Sequence, residues 1–265
     1  MTSPAQNIPD VLIHVADGLL YDHVDYGHHI AERLCAAGLT VERIDLTDPH
    51  QPTPPARAHV LTGGQTSVMS GHDWMRAAVA RTRELIASAT RGDHTVIGIC
   101  LGAQIIAESL HPRVIRSAAA IEIGLVEVER PGQPRARQFV PAFHYEQISP
   151  TLAQVPGATV AWRNDHSPVQ AFSFGPRVFG CQYHPELTAR ELHHVIDHHH
   201  ATIVEHGGHP QAAHQAVDAW AAALDPELFT RTVIDRLTGR RTSAPSSRAA
   251  SMVEVSGKAA QSPHS

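Results

Sequence analysis

The chain has 265 residues, 42% hydrophobic and 18% charged, which is enough apolar material for a sizeable core and excludes general disorder. A formal net charge of −5 and a pI near 6.5 argue against nucleic acid or an anionic membrane surface as the main partner. The basic residues are almost all arginine, and the single lysine, Lys258, falls in the C-terminal tail, so no P-loop or Schiff-base lysine is available in the body.

Taken in chain order, Val11–Val15 is a short apolar run and a first strand. Tyr26 to Ala37 has helical spacing (Ile30, Leu34, Ala37) and stops at Gly38, a helix-ending signal. Leu39–Leu46 alternates as a second strand, the Pro-rich 50–55 stretch is a loop, and Ala58–Leu61 is a third strand running into Thr62-Gly63-Gly64. Asp73 is placed to N-cap a helix through about Ala89. His94–Ile99 is a further β-rich run and Leu101–Leu110 a further helix. This alternation predicts an α/β fold: an open, mostly parallel sheet with helices on both faces, flavodoxin-like. Beyond it, Ile121–Glu129, Arg137–Val140, Thr159–Trp162, Gln170–Phe174 and Arg177–Tyr183 are short strands between Pro and Gly, a small antiparallel extension. A helix follows from about Thr188 to Glu205, and Pro210–Arg236 supports two more short ones. From Gly239 the chain turns to Ser, Ala, Pro and Arg without apolar periodicity, a disordered C-terminal tail.

Three cysteines, Cys35, Cys100 and Cys181, are widely spaced with no C-x-x-C pair, which fits neither a disulfide framework nor a zinc ribbon and suits a reducing compartment. Met1–Asp10 lacks the basic and apolar regions of a signal peptide, and no apolar run approaches the roughly 20 residues that span a bilayer. The expectation is a cytoplasmic protein without a membrane or nucleic-acid partner.

The most informative stretch is Gly98-Ile99-Cys100-Leu101-Gly102-Ala103-Gln104, a G-x-C-x-G between a predicted strand and a predicted helix. A sharp strand-to-helix turn strains the backbone of the nucleophile, and glycines on either side remove side chains that would collide there. The turn lifts the sulfur above the carboxyl end of the sheet and sets it at a helix N-terminus, which favours thiolate. The N–H of Leu101 is aimed to hold an oxyanion. A thiolate nucleophile wants a base, and the base an orienting group. Gly180-Cys181-Gln182-Tyr183-His184-Pro185-Glu186 offers both, because His184 and Glu186 stand two apart and share one side of an extended chain. Cys181 and Cys35 are assigned to structure, Cys35 on the apolar side of the first helix.

The elbow and the H-P-E strand end, in the order Cys, His, Glu, resemble the class I (triad-type) glutamine amidotransferase domain over about Val11 to Ala201. The subgroup it resembles is the amidotransferase domain of GMP synthase. The resemblance implies Cys100, His184 and Glu186 as catalytic residues, Gly64 and Leu101 as oxyanion-hole donors, and Gly63, Gln104, His144 and Glu146 as substrate-binding residues. Leu61-Thr62-Gly63-Gly64 matches the family's Gly-rich loop and Glu122-Ile123-Gly124 its E-x-G segment; His144-Tyr145-Glu146-Gln147-Ile148 stands for an H-x-D-x-V stretch, with Glu146 replacing the aspartate. With the composition and patterning on either side of it, the chain divides into four segments: an arm over 1–10, the amidotransferase domain over 11–205, a helical extension over 206–238 and the tail over 239–265. The implied reaction is hydrolysis of the γ-amide of glutamine through a thioester, with no cofactor required and with ammonia passed to a separate synthetase partner. A stand-alone γ-glutamyl hydrolase acting on γ-glutamyl conjugates would use the same triad. A non-catalytic regulatory relative and a DJ-1/PfpI-like cysteine protease are further readings, opposed by the complete triad and by the H-P-E respectively.

The chain holds 21 histidines. In the run His193, His194, His198, His199 and His200, the pair His194 and His198 at i, i+4 has metal-ligand spacing. With no H-E-x-x-H and no nearby cysteine, the run reads as a solvated or partly packed helix face and no metal is expected. Asp165-His166 precedes Pro168 and reads as a loop.

Overall fold

A computed structural model describes residues 8–239; the predicted tail from residue 240 and the first seven residues of the predicted arm lie outside them. The strands are β1 (Val11–Val15), β2 (Leu19–Tyr21), β3 (Val24–Asp25), β4 (Val41–Asp45), β5 (Ala58–Leu61), β6 (Thr95–Ile99), β7 (Ile115–Arg130), β8 (Gln133–Ile148), β9 (Ala158–Trp162), β10 (Ala171–Phe174) and β11 (Val178–Cys181). The helices are α1 (His28–Ala36), α2 (Asp73–Arg91), α3 (Leu101–Leu110), α4 (Ala189–His198), α5 (His200–Glu205), α6 (Pro210–Trp220) and α7 (Asp235–Thr238).

Seven strands form one sheet in the order β4-β1-β5-β6-β11-β10-β9. The first five run parallel, and β10 and β9 close the edge antiparallel. Successive residues of a strand point to opposite faces, and the core divides accordingly. Val96 on β6 packs with Met75, Ala78 and Ile86 of α2 and Ile105 and Ile106 of α3. Its neighbours Ile97 and Ile99 pack on the other face with Ile30 and Leu34 of α1 and with Phe229, Val233 and Ile234 near the C-terminus. Each such fully buried aliphatic side chain contributes about 1.5–3 kcal/mol relative to an exposed one. The sheet is thus covered on both faces, as the alternation predicts.

Several local expectations change. Asp73 is the first helical residue of α2, not its cap, which is His72 with no side-chain hydrogen bond; the Asp73 carboxylate instead pairs with Arg76 one turn on. The stretches read as separate short strands over 121–140 belong to one long hairpin, β7 with β8, each of 16 residues. It forms a sheet of its own. The helix expected over 188–205 is interrupted at His199, which caps both α4 and α5. Cys35 is exposed on α1, not on its apolar side. Segment 206–238 packs into the body: Ala213 and Val217 of α6 share a cluster with Ile121, Leu125 and Phe143 of the hairpin and with Leu192, Val195 and Ile196 of α4. Among the described residues no helix is long and apolar enough to cross a membrane.

Candidate active site

Cys100 stands between β6 and α3 with φ 51° and ψ −108°, a conformation that costs a non-glycine residue about 1–3 kcal/mol. The two flanking glycines are required by backbone approach. A Cβ on Gly98 would lie 2.5 Å from the carbonyl carbon and oxygen of Gly102, and one on Gly102 would lie 2.3 Å from the Leu61 carbonyl oxygen. The turn is pinned on both sides: Cys100 N–H donates to the Cys181 carbonyl at 2.8 Å, and Gly102 N–H to the Thr62 carbonyl at 2.9 Å. β6 also pairs with β11 so that Ile99 stands opposite Cys181, which delivers the 181–186 segment to the elbow. With the first-turn N–H groups of Gly102 and Gln104 taken by backbone carbonyls, Leu101 offers the amide next to the sulfur.

His184 and Glu186 follow β11. His184 N–H donates to the Pro141 carbonyl of β8 at 2.8 Å, and the Leu187 N–H closes a turn onto His184 at 3.1 Å. The Arg33 guanidinium holds the Glu186 carbonyl at 2.7 Å, and a Thr188–Glu191 capping box starts α4 immediately afterwards. The side chains of His184 and Glu186 are both wholly buried, and His184 Nδ1 lies 2.7 Å from Glu186 Oε1. The carboxylate can only accept, so Nδ1 carries the hydrogen. Nε2 is buried with no hydrogen-bond partner. Burial opposes a charge on this ring, but the Glu186 carboxylate and the nearby Cys100 outweigh it and push His184 up to about 10.

Cys100, Leu101, Gly64, Gln104, His144 and Glu146 share one cavity of about 220 Å³. A Cβ on Gly64 would meet Leu101 Cδ2 at 2.6 Å and Ala16 Cβ at 2.8 Å, so only glycine lets this loop lie against the start of α3. Gly63 lines no part of the cavity; it packs between Tyr26 and His184, where a Cβ would come within 2.6 Å and 2.9 Å of their rings. Gln104 Nε2 donates to the Glu146 carbonyl at 3.4 Å. The Glu146 carboxylate accepts from the Ser67 hydroxyl. Burial raises its pKa, with the Ser67 bond and the Val68 amide opposing.

The arrangement contains groups that the sequence reading did not assign. His144 Nδ1 is 3.1 Å from the Glu146 carbonyl, and its Nε2 is 3.0 Å from Glu122 Oε2. Glu122 is buried and accepts from Asn164 at 2.5 Å, Gln170 at 2.5 Å and Ser167 at 3.3 Å. Burial works against its charge, yet His144 and Asn164 hold its pKa below the usual range. The E-x-G segment marked Glu122, but its three donors sit some 42 to 48 residues later in an irregular loop and carry no motif of their own. His199, read as part of a solvated or partly packed helix face, is buried and lines the cavity. His194 and His198 do not act as a pair: His194 packs on Tyr21 with ring centres 5.4 Å apart, and His198 Nδ1 accepts the Asp22 N–H at 3.2 Å. Cys181 is buried, and that burial raises its thiol pKa well above the ordinary value.

A doubly covered, mostly parallel sheet with a strained cysteine elbow at its carboxyl edge is the architecture of an open α/β enzyme scaffold. The model of the class-I glutamine amidotransferase family matches residues 19–201, and the chain belongs to that family. It is 34% identical over 174 residues to a glutamine-hydrolyzing GMP synthase of Aeropyrum pernix, covering 61% of this chain and 31% of that protein. The chain therefore spans about a third of that relative's length. It is 28% identical over 182 residues to a glutamine-hydrolyzing GMP synthase subunit of Methanopyrus kandleri, covering 65% of this chain and 90% of that one. Among solved structures, a glutamine amidotransferase from Thermotoga maritima superposes with TM-score 0.65 at 20% identity over 86% of this chain and 96% of that one. A glutamine amidotransferase from Methylobacillus flagellatus gives 0.57 at 21% identity, over 88% and 89%. These two likenesses concern the fold.

Proposed function

We propose that the chain hydrolyses the γ-amide of glutamine through Cys100, His184 and Glu186 and supplies the ammonia to a separate amidating partner. The observation that carries this reading is the fully buried 2.7 Å His184–Glu186 pair set against a cysteine in a strained elbow that opens on the cavity. A protonated His184 pairs with the Cys100 thiolate, and the helix N-terminus at Leu101 adds a favourable dipole. The thiolate attacks the amide carbon, and the N–H groups of Leu101 and Gly64 receive the oxyanion; losing one such donor typically costs about 10²–10³ in rate. His184 gives its proton to the departing ammonia, leaving a γ-glutamyl thioester on Cys100. The neutral ring then takes a proton from water, whose attack releases glutamate and restores the thiolate.

Gln104, His144 and Glu146 would hold the α-amino and α-carboxyl end of the substrate, with Gly63 keeping room for His184. We take 11–205 as the amidotransferase unit and 206–238 as its helical extension. The partner is inferred from the relatives, of which one is itself a subunit while the other is three times the matched length. The test is ammonia release from glutamine by the isolated chain and by Cys100→Ala, with γ-glutamyl peptides in parallel. The wild type should release ammonia and the variant should not; a variant at wild-type rate refutes the nucleophile. Faster cleavage of γ-glutamyl peptides than of glutamine replaces the ammonia donor by a stand-alone γ-glutamyl hydrolase.

A further inference from the structure

Two histidines on facing helices meet in a way that two neutral rings, each donating to a carboxylate, do not satisfy by hydrogen bonding. His193 Nδ1 of α4 and His214 Nδ1 of α6 lie 2.6 Å apart, with the rings within 14° of parallel. His193 Nε2 is 3.2 Å from Asp218 Oδ1, and His214 Nε2 is 3.0 Å from Asp197 Oδ1. Each helix therefore supplies a histidine and, four residues on, an aspartate, and each histidine is backed by the aspartate of the opposite helix.

An ionised carboxylate only accepts, so both Nε2 atoms carry hydrogens. A neutral ring then presents a lone pair at Nδ1, and two lone pairs facing each other at this separation repel unless an electrophile lies between them. With both rings neutral, the two aspartates leave two negative charges on the cluster, which a divalent cation balances. A carboxylate behind the distal nitrogen is the support that orients a metal-ligating imidazole and raises its basicity. We infer that His193 and His214 form a binding site for a divalent transition-metal ion of the zinc, copper or nickel type, which imidazole suits, with Asp218 and Asp197 as its outer supports.

Zinc–nitrogen bonds of about 2.0–2.1 Å at a tetrahedral angle ask for nitrogens roughly 3.3 Å apart. Small side-chain rotations reach that spacing, because the two rings are 31% and 30% exposed. The same exposure admits water as the remaining ligands. Such an ion would clasp α6 to α4, and α4 runs directly into His199 and α5, whose Thr202 lines the cavity.

The probe is zinc chloride titrated into the metal-free full-length chain by calorimetry, with magnesium as the control ion and melting temperature as a second readout. One saturable zinc site should appear, with a rise in melting temperature and no response to magnesium. His193→Ala and His214→Ala should each remove that site, and Asp197→Asn with Asp218→Asn should weaken it about 10- to 100-fold. His28, His29 and Glu32 at the start of α1 form another group of metal donors, so His28→Ala with Glu32→Gln serves as the control and should keep the site. Copper bound to the wild type should show two imidazole nitrogens by electron paramagnetic resonance. Absence of saturable zinc binding, or zinc affinity unchanged in His193→Ala and His214→Ala, overturns the inference and leaves the pair a shared-proton contact.

Discussion

His14 on β1 and His59 on β5 are almost inaccessible to solvent, at 1% and 2% exposure, and His14 Nε2 lies 3.0 Å from His59 Nδ1. His59 in turn meets the His94 ring edge-on at 4.6 Å, and His94 Nε2 is satisfied by the Leu85 carbonyl at 3.0 Å. Burial, then the neighbouring His59 and Arg81, depress His14 to about 3; burial, then His94, depress His59 to about 4. In the unfolded chain both return to about 6.5, so below that pH the unfolded state binds protons that the native state refuses. Their contribution is complete above pH 6.5 and is lost as pH falls toward 4. Between pH 7.5 and 5.0 each residue removes about 2 kcal/mol by linkage, and roughly 4 kcal/mol together. That is a large part of the 5–15 kcal/mol that holds a typical domain. His59→Gln keeps a hydrogen-bonding side chain beside His14 but does not titrate. Urea unfolding followed by tryptophan fluorescence at the two pH values should show the variant losing about 2 kcal/mol less than the wild type. Parallel stability–pH curves for the two proteins would refute the account of the buried pair.

Gly102→Ala places a methyl group 2.3 Å from the Leu61 carbonyl, backbone that cannot swing aside; melting should show a loss of about 1–3 kcal/mol, together with a collapse of ammonia release. Glu186→Gln removes the charge that helps hold His184 at about 10. Since a raised His pKa keeps the imidazolium stable up to that pH, the alkaline limb of the activity profile should move to lower pH, and turnover should fall by about 10²–10⁴. An unmoved profile would separate His184 from Glu186. Glu122→Ala leaves Asn164, Ser167 and Gln170 without their shared acceptor; denaturation should show a loss of about 3–5 kcal/mol, with KM for glutamine raised through His144.

What the sequence determined by itself is what the backbone settles locally. The elbow is legible because a sharp strand-to-helix turn admits only glycine at Gly98 and Gly102, and the His184–Glu186 pairing follows from two residues on one side of an extended chain. The parallel sheet followed from strands alternating with helices, and its inner strands β1, β5 and β6 are buried along nearly their whole length, as strands covered on both faces must be. Other features were decided by tertiary contact. The long β7–β8 hairpin was hidden because Gly124, Gly132, Pro134 and Pro141 break its alternation, while pairing with the opposite strand holds it extended. The donors around Glu122, the His14–His59 contact and the crossed His193–His214 pair join residues from 21 to 48 positions apart. No periodicity marks such partners, because it is the packing of helix on helix and loop on hairpin that sets the distance between two polar side chains, and with it which groups are forced to share a proton, a charge or a metal ion.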